Sequence, residues 1–566
     1  MLQRRFDRGN AFEADIVAEL TALHPGVVVV VGDDPALREQ RTADAMAARA
    51  SLILNARLPS DDLGRRVGKP DVLIVAPDGG YRPVDIKHHM TLKADSGHAR
   101  TSQFADATLE AAHDDEAGSA RSNKSDLLQL AHYQRMLESA GRAAQDGRLG
   151  GIIGVERRVV WYDLNEPMWR TPSSTGKQKM RSTMEIYDFE FGFRLDIMAI
   201  AMRHLDDPAT PLLVIPFRKS ECDECPWWDW CRPQLQEDSG HPSLIPSLTW
   251  SQWETYRDRG VTTRADVASL DPLTARLVAG GVDLSSLSEA VQGMPADHPL
   301  SDVKLLDRRP KQRSILESEG IDTVGHLASL DERTAAYAST GMKSLPEHID
   351  RARAALGSAP VYRKRGVEDV DVPRADVEVD VDMENVEDGV YMWGVLIGGE
   401  YRPFFTWGPL TPDSEAELFT AFWEWLVTTR AATLARGLTF RAYCWHEPAE
   451  NTQMYRIGRH AGLLEEVKRF IDSDEWIDLR EVFDHHFITG TGSGLKVIAP
   501  ITGFAWPMDD AGGGESMVQF DRAALGDEPA RRWLLDYNRA DVDATRAIRD
   551  WIAGASSVPS IETERP

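Results

Sequence analysis

Hydrophobic and polar positions recur along this chain with two different periods, and the change from one to the other marks its first elements. Phe6, Phe12, Ile16, Val17 and Leu20 fall at helical spacing over residues 6–22, and the β-branched run Val27 to Val31 follows, which predicts a helix and then a strand. VLIV at 72–75, the turn-forming Pro77-Asp78-Gly79-Gly80 and YRPVDIK at 81–87 predict a β-hairpin or two adjacent strands. Residues 93–126 are polar with little periodicity and read as a mobile insertion. LLQLAHYQRMLESAG then predicts an amphipathic helix that ends at Gly141.

Farther along, CRPQLQEDSGHPSLIPS has the composition of a linker, which places a boundary near residue 240. GVTTRADVASLD (260–271) and GIDTVGHLASLD (320–331) form an internal repeat, and two copies imply paired helical units. Near 361 a third pattern starts: VEVDVDMENVEDGVYMWGVLI alternates like a pair of strands, and LLDYNRADVDATRAIRDWI predicts a closing helix. The expected organisation is three domains, 1–240, 241–360 and 361–566.

With 566 residues the chain can bury several cores. No stretch approaches the ~20 apolar residues of a membrane helix, and the first residues lack the apolar core and cleavage site of a signal peptide, so no membrane contact and a cytoplasmic location are expected. The net charge of -26 argues against general affinity for polyanions, so any nucleic-acid contact must be local. Acidic clusters that gather cations would reconcile a negative chain with a phosphate substrate.

Two such clusters stand out. In VDIK, the period of two puts Asp85 and Lys87 on one face of a strand, and a hairpin would return Asp71 beside them. Two carboxylates with an amine suit Mg²⁺ or Mn²⁺ and attack by water on a phosphodiester. Asp-x-Lys alone is a weak signal, because solvent-facing strands often show it. The second cluster pairs Asp382 with Glu384 on one strand face and Tyr537 with Asp541 one helical turn apart, while Glu450 in CWHEPAEN can project toward the same spot. Acids on such a strand can equally face solvent.

The order RGNAFE, KPDVLI, VDIK and QLAHY resembles RecB-type members of the PD-(D/E)XK nucleases over about residues 6–235, and CDECPWWDWC resembles the cysteine-rich tail of CRISPR-associated and helicase-linked RecB-like exonucleases. The resemblance implies a restriction-endonuclease-like α/β core in which Glu13, Asp71 and Asp85 are metal ligands, Lys87 is the catalytic lysine, and Gln129 and Tyr133 form a Gln-x-x-x-Tyr motif. It also implies a [4Fe-4S] cluster on Cys222, Cys225 and Cys231, shielded by Trp227, Trp228 and Trp230. The fourth cysteine of such clusters has no counterpart before Gly9, which leaves a start of the protein missing from this chain, a non-cysteine ligand or a structural remnant open. Cys444, in a predicted strand, reads as a small core residue.

The repeats resemble helix-hairpin-helix units, with Arg308, Arg309, Lys311 and Arg313 as a local basic patch, although a purely structural helical spacer has nearly equal weight. Over about residues 376–553 the second cluster resembles the DEDD exonucleases of the RNase H-like fold, whose metals sit about 3.5–4 Å apart. Glu450 stands where most relatives have Asp.

The expectation is thus an α/β multidomain, metal-dependent DNA nuclease with exonuclease character, whose second site is open to DNA or RNA. Two alternatives remain: a catalytically decayed nucleic-acid scaffold, and a subunit serving a helicase, repair or defence partner, since the chain has no phosphate-binding Gly-x-x-x-x-Gly-Lys-Ser/Thr loop.

Overall fold

In the computed structural model, which describes residues 2–93, 97–115, 118–172, 177–210, 215–387, 389–508 and 512–564, the chain divides into two units, Met1–Val214 and Ile215–Pro566. Among the described residues no helix is long and apolar enough to cross a membrane.

The first unit is built on an eight-stranded mixed sheet. Its strands are β1 (Val28–Val29), β2 (Leu52–Leu54), β3 (Val72–Val75), β4 (Tyr81–Ile86), β5 (Ala99–Gln103), β6 (His113–Asp115), β7 (Leu149–Ile153) and β8 (Arg158–Asp163), in the spatial order β1-β2-β3-β4-β7-β8-β5-β6. The expected hairpin forms, with β3 antiparallel to β4 and Val72 opposite Val84. Strand alternation then sorts side chains by face. Val72, Ile74, Val84 and Ile86 pack with Ile16 and Leu20 of α1 (Leu2–Leu23), whereas Leu73 and Tyr81 pack with Tyr133 and Met136 of α3 (Lys124–Ser139). The helix α2 (Pro35–Ala47) adds Ala45 and Met46 to that second layer. Gly141, at a φ of 63°, ends α3 in the left-handed conformation that glycine adopts without strain.

The stretch 93–126 departs from the expected mobile insertion. Residues 94–96 and 116–117 lie outside the described residues, but β5 and β6 are part of the sheet, and β5 pairs antiparallel with β8. Thr101 and Ser102 are buried there, and Ser102 accepts a hydrogen bond from the Trp161 indole at 2.8 Å. Polar composition hid this strand because the Ser102 hydroxyl, buried in it, is satisfied within the protein, by Trp161 and the Thr108 carbonyl, rather than by water.

The second unit begins with a helical region. The segment 231–247, expected as a linker, instead carries the end of α4 (Trp228–Gln236) with Leu235 buried, and Ile245 enters the helical core beside Leu248, Val261 and Leu277. The two repeats form matching units: Thr263 caps the helix Arg264–Ala268 and Thr323 caps Val324–Ala328. They are tied reciprocally, since the Asp271 N-H donates to Thr334 Oγ1 at 2.9 Å and the Asp331 N-H donates to Thr274 Oγ1 at 3.1 Å.

After the repeats lies a five-stranded sheet of β9 (Val377–Val386), β10 (Gly389–Ile397), β11 (Glu400–Phe405), β12 (Phe440–Cys444) and β13 (Trp476–Asp478), ordered β11-β10-β9-β12-β13. The first three strands run antiparallel, and β12 and β13 continue parallel to β9. Val379 and Val381 point into a core with Phe419 and Phe422 of α5 (Pro412–Ala435) and Ile457 of α6 (Pro448–His460). The alternate positions Asp380 and Asp382 face α7 (Glu528–Gly554). The acids of this strand therefore lie beneath a helix rather than in solvent. Cys444 is fully buried, as a core residue should be.

Candidate active sites

In the first unit, the β3–β4 pairing sets Asp71 opposite Asp85. Asp71 accepts a hydrogen bond from the Ile86 N-H at 2.7 Å and shares one with the Asp85 carboxyl. Asp85 is wholly buried and forms an ion pair with Lys87. One helical turn joins Gln129 to Tyr133, and Gln129 connects the cluster: its Oε1 accepts from Lys87 Nζ at 2.8 Å, and its Nε2 approaches Tyr133 OH at 2.7 Å and Asp85 Oδ1 at 3.4 Å. Tyr133 OH donates to the Lys69 carbonyl at 3.0 Å. Burial raises the affinity of Asp71 for its proton, and the Asp85 and Glu13 charges raise it further. Glu13, half-buried on α1, is pushed up by burial and then by Asp85, so it belongs to the same electrostatic group. Lys87 is held protonated chiefly by Asp85, against the effect of its own burial.

Two neighbours escaped the sequence reading. Asp126, buried at the start of α3, pairs with His89 Nε2 at 2.9 Å, and this hydrogen bond raises the His89 pKa. The signal for Asp126 was its spacing, three residues before Gln129 on the same helix face. A cavity of about 810 Å³ opens beside Gln129 and Tyr133, lined also by Arg57, Lys69, Lys124 and Arg194 and by the rings of Tyr187 and Phe191, which stack at 5.4 Å.

In the second unit, Asp382 and Glu384 on β9 meet Asp541 on α7. One ligand oxygen from each lies within 4.8 Å of the others, and among the described residues this is the one such group of three acidic, histidine or cysteine side chains. Glu13, Asp71 and Asp85 are therefore drawn together less tightly. A bulge follows Glu384 on β9, where the register with β10 shifts. Directly opposite Asp382 is Gly394, and a Cβ there would come within 1.6 Å of Asn538 Oδ1. The missing side chain admits Asn538, which donates to Asp382 Oδ2 at 2.8 Å and accepts from Tyr401 OH at 2.8 Å.

Burial is the largest cause pushing up the pKa values of Asp382, Glu384 and Glu450; like charge from Glu384, Asp541 and Glu450 adds to it at Asp382. Glu450 is pushed up to about 8, and its buried Oε2 has no hydrogen-bond partner. Buried carboxyls that resist ionisation, one with an orphaned oxygen, are a donor set that a divalent cation would satisfy. The Tyr537 phenol, raised by burial and then by Asp541, keeps its proton at neutral pH. The sequence reading missed Asn538, Trp506, which donates to Asp541 Oδ1 at 2.6 Å, and Lys496, which pairs with the same oxygen. Asn538 adjoins Tyr537 in the motif; the other two carried no motif signal.

The three clustered cysteines lie at the start of the second unit. Cys222 is in a tight turn (Ser220–Glu224) and Cys231 in the helix Trp228–Gln236; all three are free thiols and half-buried. The expected tryptophan shield is not formed, since Trp227 and Trp230 are largely exposed, and the guanidinium of Arg218 lies over Trp228 at 5.0 Å.

Nothing among curated proteins or solved structures matches the chain. Residues 376–553, which run from the start of β9 almost to the end of α7 and contain Asp382, Glu384, Glu450, Tyr537 and Asp541, match a model of the RNase_H superfamily, so this part of the second unit is an RNase H-like domain.

Proposed function

We propose that the protein is a metal-dependent nuclease with exonuclease character that acts on DNA in genome maintenance or defence. The observation that carries this reading is the convergence of Asp382, half-buried, with the buried Glu384 and Asp541, three acids with one paired cation, Lys496, within an RNase H-like domain. Glu450 completes the ligand set, with its unpartnered oxygen. A bound Mg²⁺ or Mn²⁺ would lower the pKa of an attacking water and offset charge on the scissile phosphate. Tyr537, kept protonated, would offer a hydrogen-bond donor to that water, and Asn538 fixes the orientation of Asp382.

The first unit is read as a second, RecB-like nuclease site. Its support is the connected set Asp71, Asp85, Lys87, Gln129 and Tyr133, with Glu13 beside it. Lys87 would present its ammonium to the phosphate while Gln129 and Asp85 hold it in place. The adjoining cavity supplies what the overall charge of the chain lacks, cationic side chains set beside aromatic rings, as a nucleic-acid strand requires. The three-domain division, 1–240, 241–360 and 361–566, and helix-hairpin-helix roles for the turns at Gly260 and Gly320 are part of this proposal. Both glycines have a φ of 71°.

The test compares wild type with Lys87→Ala, Asp382→Ala and the double variant on end-labelled single- and double-stranded DNA with Mg²⁺ or Mn²⁺. Each single variant should remove one set of products, and the double variant should lose at least ~100-fold in rate. Full cleavage by the double variant would overturn both assignments. Binding to DNA that is indifferent to chelators, with no cleavage, would favour a scaffold.

A further inference from the structure

Lys496 is a cation paired directly with the second acidic site, and no motif led to it. It lies on the one-turn helix Leu495–Ile498, and its Nζ pairs with Asp541 Oδ1, the oxygen that also accepts from the Trp506 indole. The ammonium is 4.0 Å from the centre of the Trp506 ring and 4.5 Å from that of Tyr537, so two aromatic faces stabilise its charge at that point. Its side chain is about a third exposed, which leaves the ammonium a path away from Asp541. An ammonium and a divalent ion both seek the same carboxylate, and each makes it a poorer partner for the other.

We propose that Lys496 is a resident counter-cation of this site: it occupies Asp541 in the metal-free protein, and a divalent ion must take that carboxylate from it. The proposal rests on the metal-dependent reading of the RNase H-like domain. Once released, the ammonium stays near the aromatic faces at the edge of the acidic group, where it can meet a substrate phosphate. Lys496 is then a positioning residue that sets the affinity of the site for metal and prevents three acids from standing uncompensated when it is empty.

The measurement is Mn²⁺ uptake by the full chain, without nucleic acid, by isothermal titration calorimetry. The uptake that Asp541→Asn removes is assigned to this site, which separates it from any ion bound in the first unit. Lys496→Met should bind that ion on the order of tenfold more tightly, because the competing charge is gone. Lys496→Gln, which keeps a hydrogen-bond donor without the charge, should do the same, and Lys496→Arg should stay close to wild type. A residue that merely supported the fold would loosen the site when replaced.

Folded Met and Gln variants that bind Mn²⁺ no more tightly than wild type overturn the proposal and leave the metal-dependent reading standing. If neither wild type nor the variants show uptake that depends on Asp541, that reading of the site fails and the proposal fails with it.

Discussion

Glu450→Gln is the substitution whose outcome follows most directly from the geometry. The wild-type carboxyl is buried, has an unpartnered oxygen, and titrates near 8 instead of its ordinary 4.5, mainly because burial penalises its charge. For an acid whose folded pKa is raised, stability is full below the unfolded pKa and is lost as pH rises through the folded one. The window is therefore pH 4.5 to 8. By pH 8 the metal-free protein bears a penalty of up to ~5 kcal/mol at this group. Glutamine removes the charge but keeps the shape. Burying its amide costs about 1–3 kcal/mol where partners are incomplete, so the expected net gain at pH 8 is ~2 kcal/mol. In a domain of this size that raises Tm by about 5 °C. At pH 5 the wild-type side chain is already neutral in the fold, so the amide cost is no longer offset and the variant should be about 1 kcal/mol less stable than wild type. Thermal unfolding with EDTA at the two pH values measures both numbers. The same scans with Mn²⁺ should stabilise wild type, by ~2.7 kcal/mol at a hundredfold excess over Kd, and the variant much less. A Glu450→Gln protein that is less stable than wild type at pH 8, or that changes equally at both pH values, would refute the claim that this carboxyl is held in waiting for a cation.

Other outcomes follow from neighbouring contacts. Gly394→Ala would drive a methyl into Asn538, release Asp382 from its hydrogen bond and cost about 1–3 kcal/mol; it should also weaken Mn²⁺ uptake, which titration calorimetry would register. His348 is buried in the helical core against Tyr256 OH at 2.9 Å and is depressed to about 4, so its contribution is complete above pH 6.5 and falls as pH drops through 4. Replacing His348 with Gln should flatten urea midpoints across that interval, where wild type loses up to ~3 kcal/mol. If the cavity beside Gln129 carries a strand, the double substitution Lys124→Gln with Arg194→Gln should weaken DNA binding and lower its salt slope by about 2, with an unchanged slope as the contrary result.

Local pattern determined much of this protein. The β3–β4 hairpin, the helix carrying Gln129 and Tyr133, and the β9–β10 pair follow from periods of 3.6 and 2 within short windows, and those same periods put Asp85 with Lys87 and Asp382 with Glu384 on shared faces. The motif order also led to the RNase H-like domain that residues 376–553 match. What tertiary structure alone decided is everything that depends on which distant segments meet. Polar composition at 99–115 could not reveal two strands at the sheet edge, since Ser102 and Asp115 find their partners, Trp161 and Arg158, only once the sheet exists. Tryptophans beside the cysteines read as a shield, but exposure is set by what packs over them, not by their neighbours in sequence. Whether the acids of β9 face water or α7 was likewise undecidable from alternation, which assigns residues to faces without saying what covers each face. Lys496 and Trp506 reach Asp541 across 45 and 35 residues of chain. No spacing rule extends that far, because the energy of such a contact comes from the shared low-dielectric pocket, which only the folded chain creates.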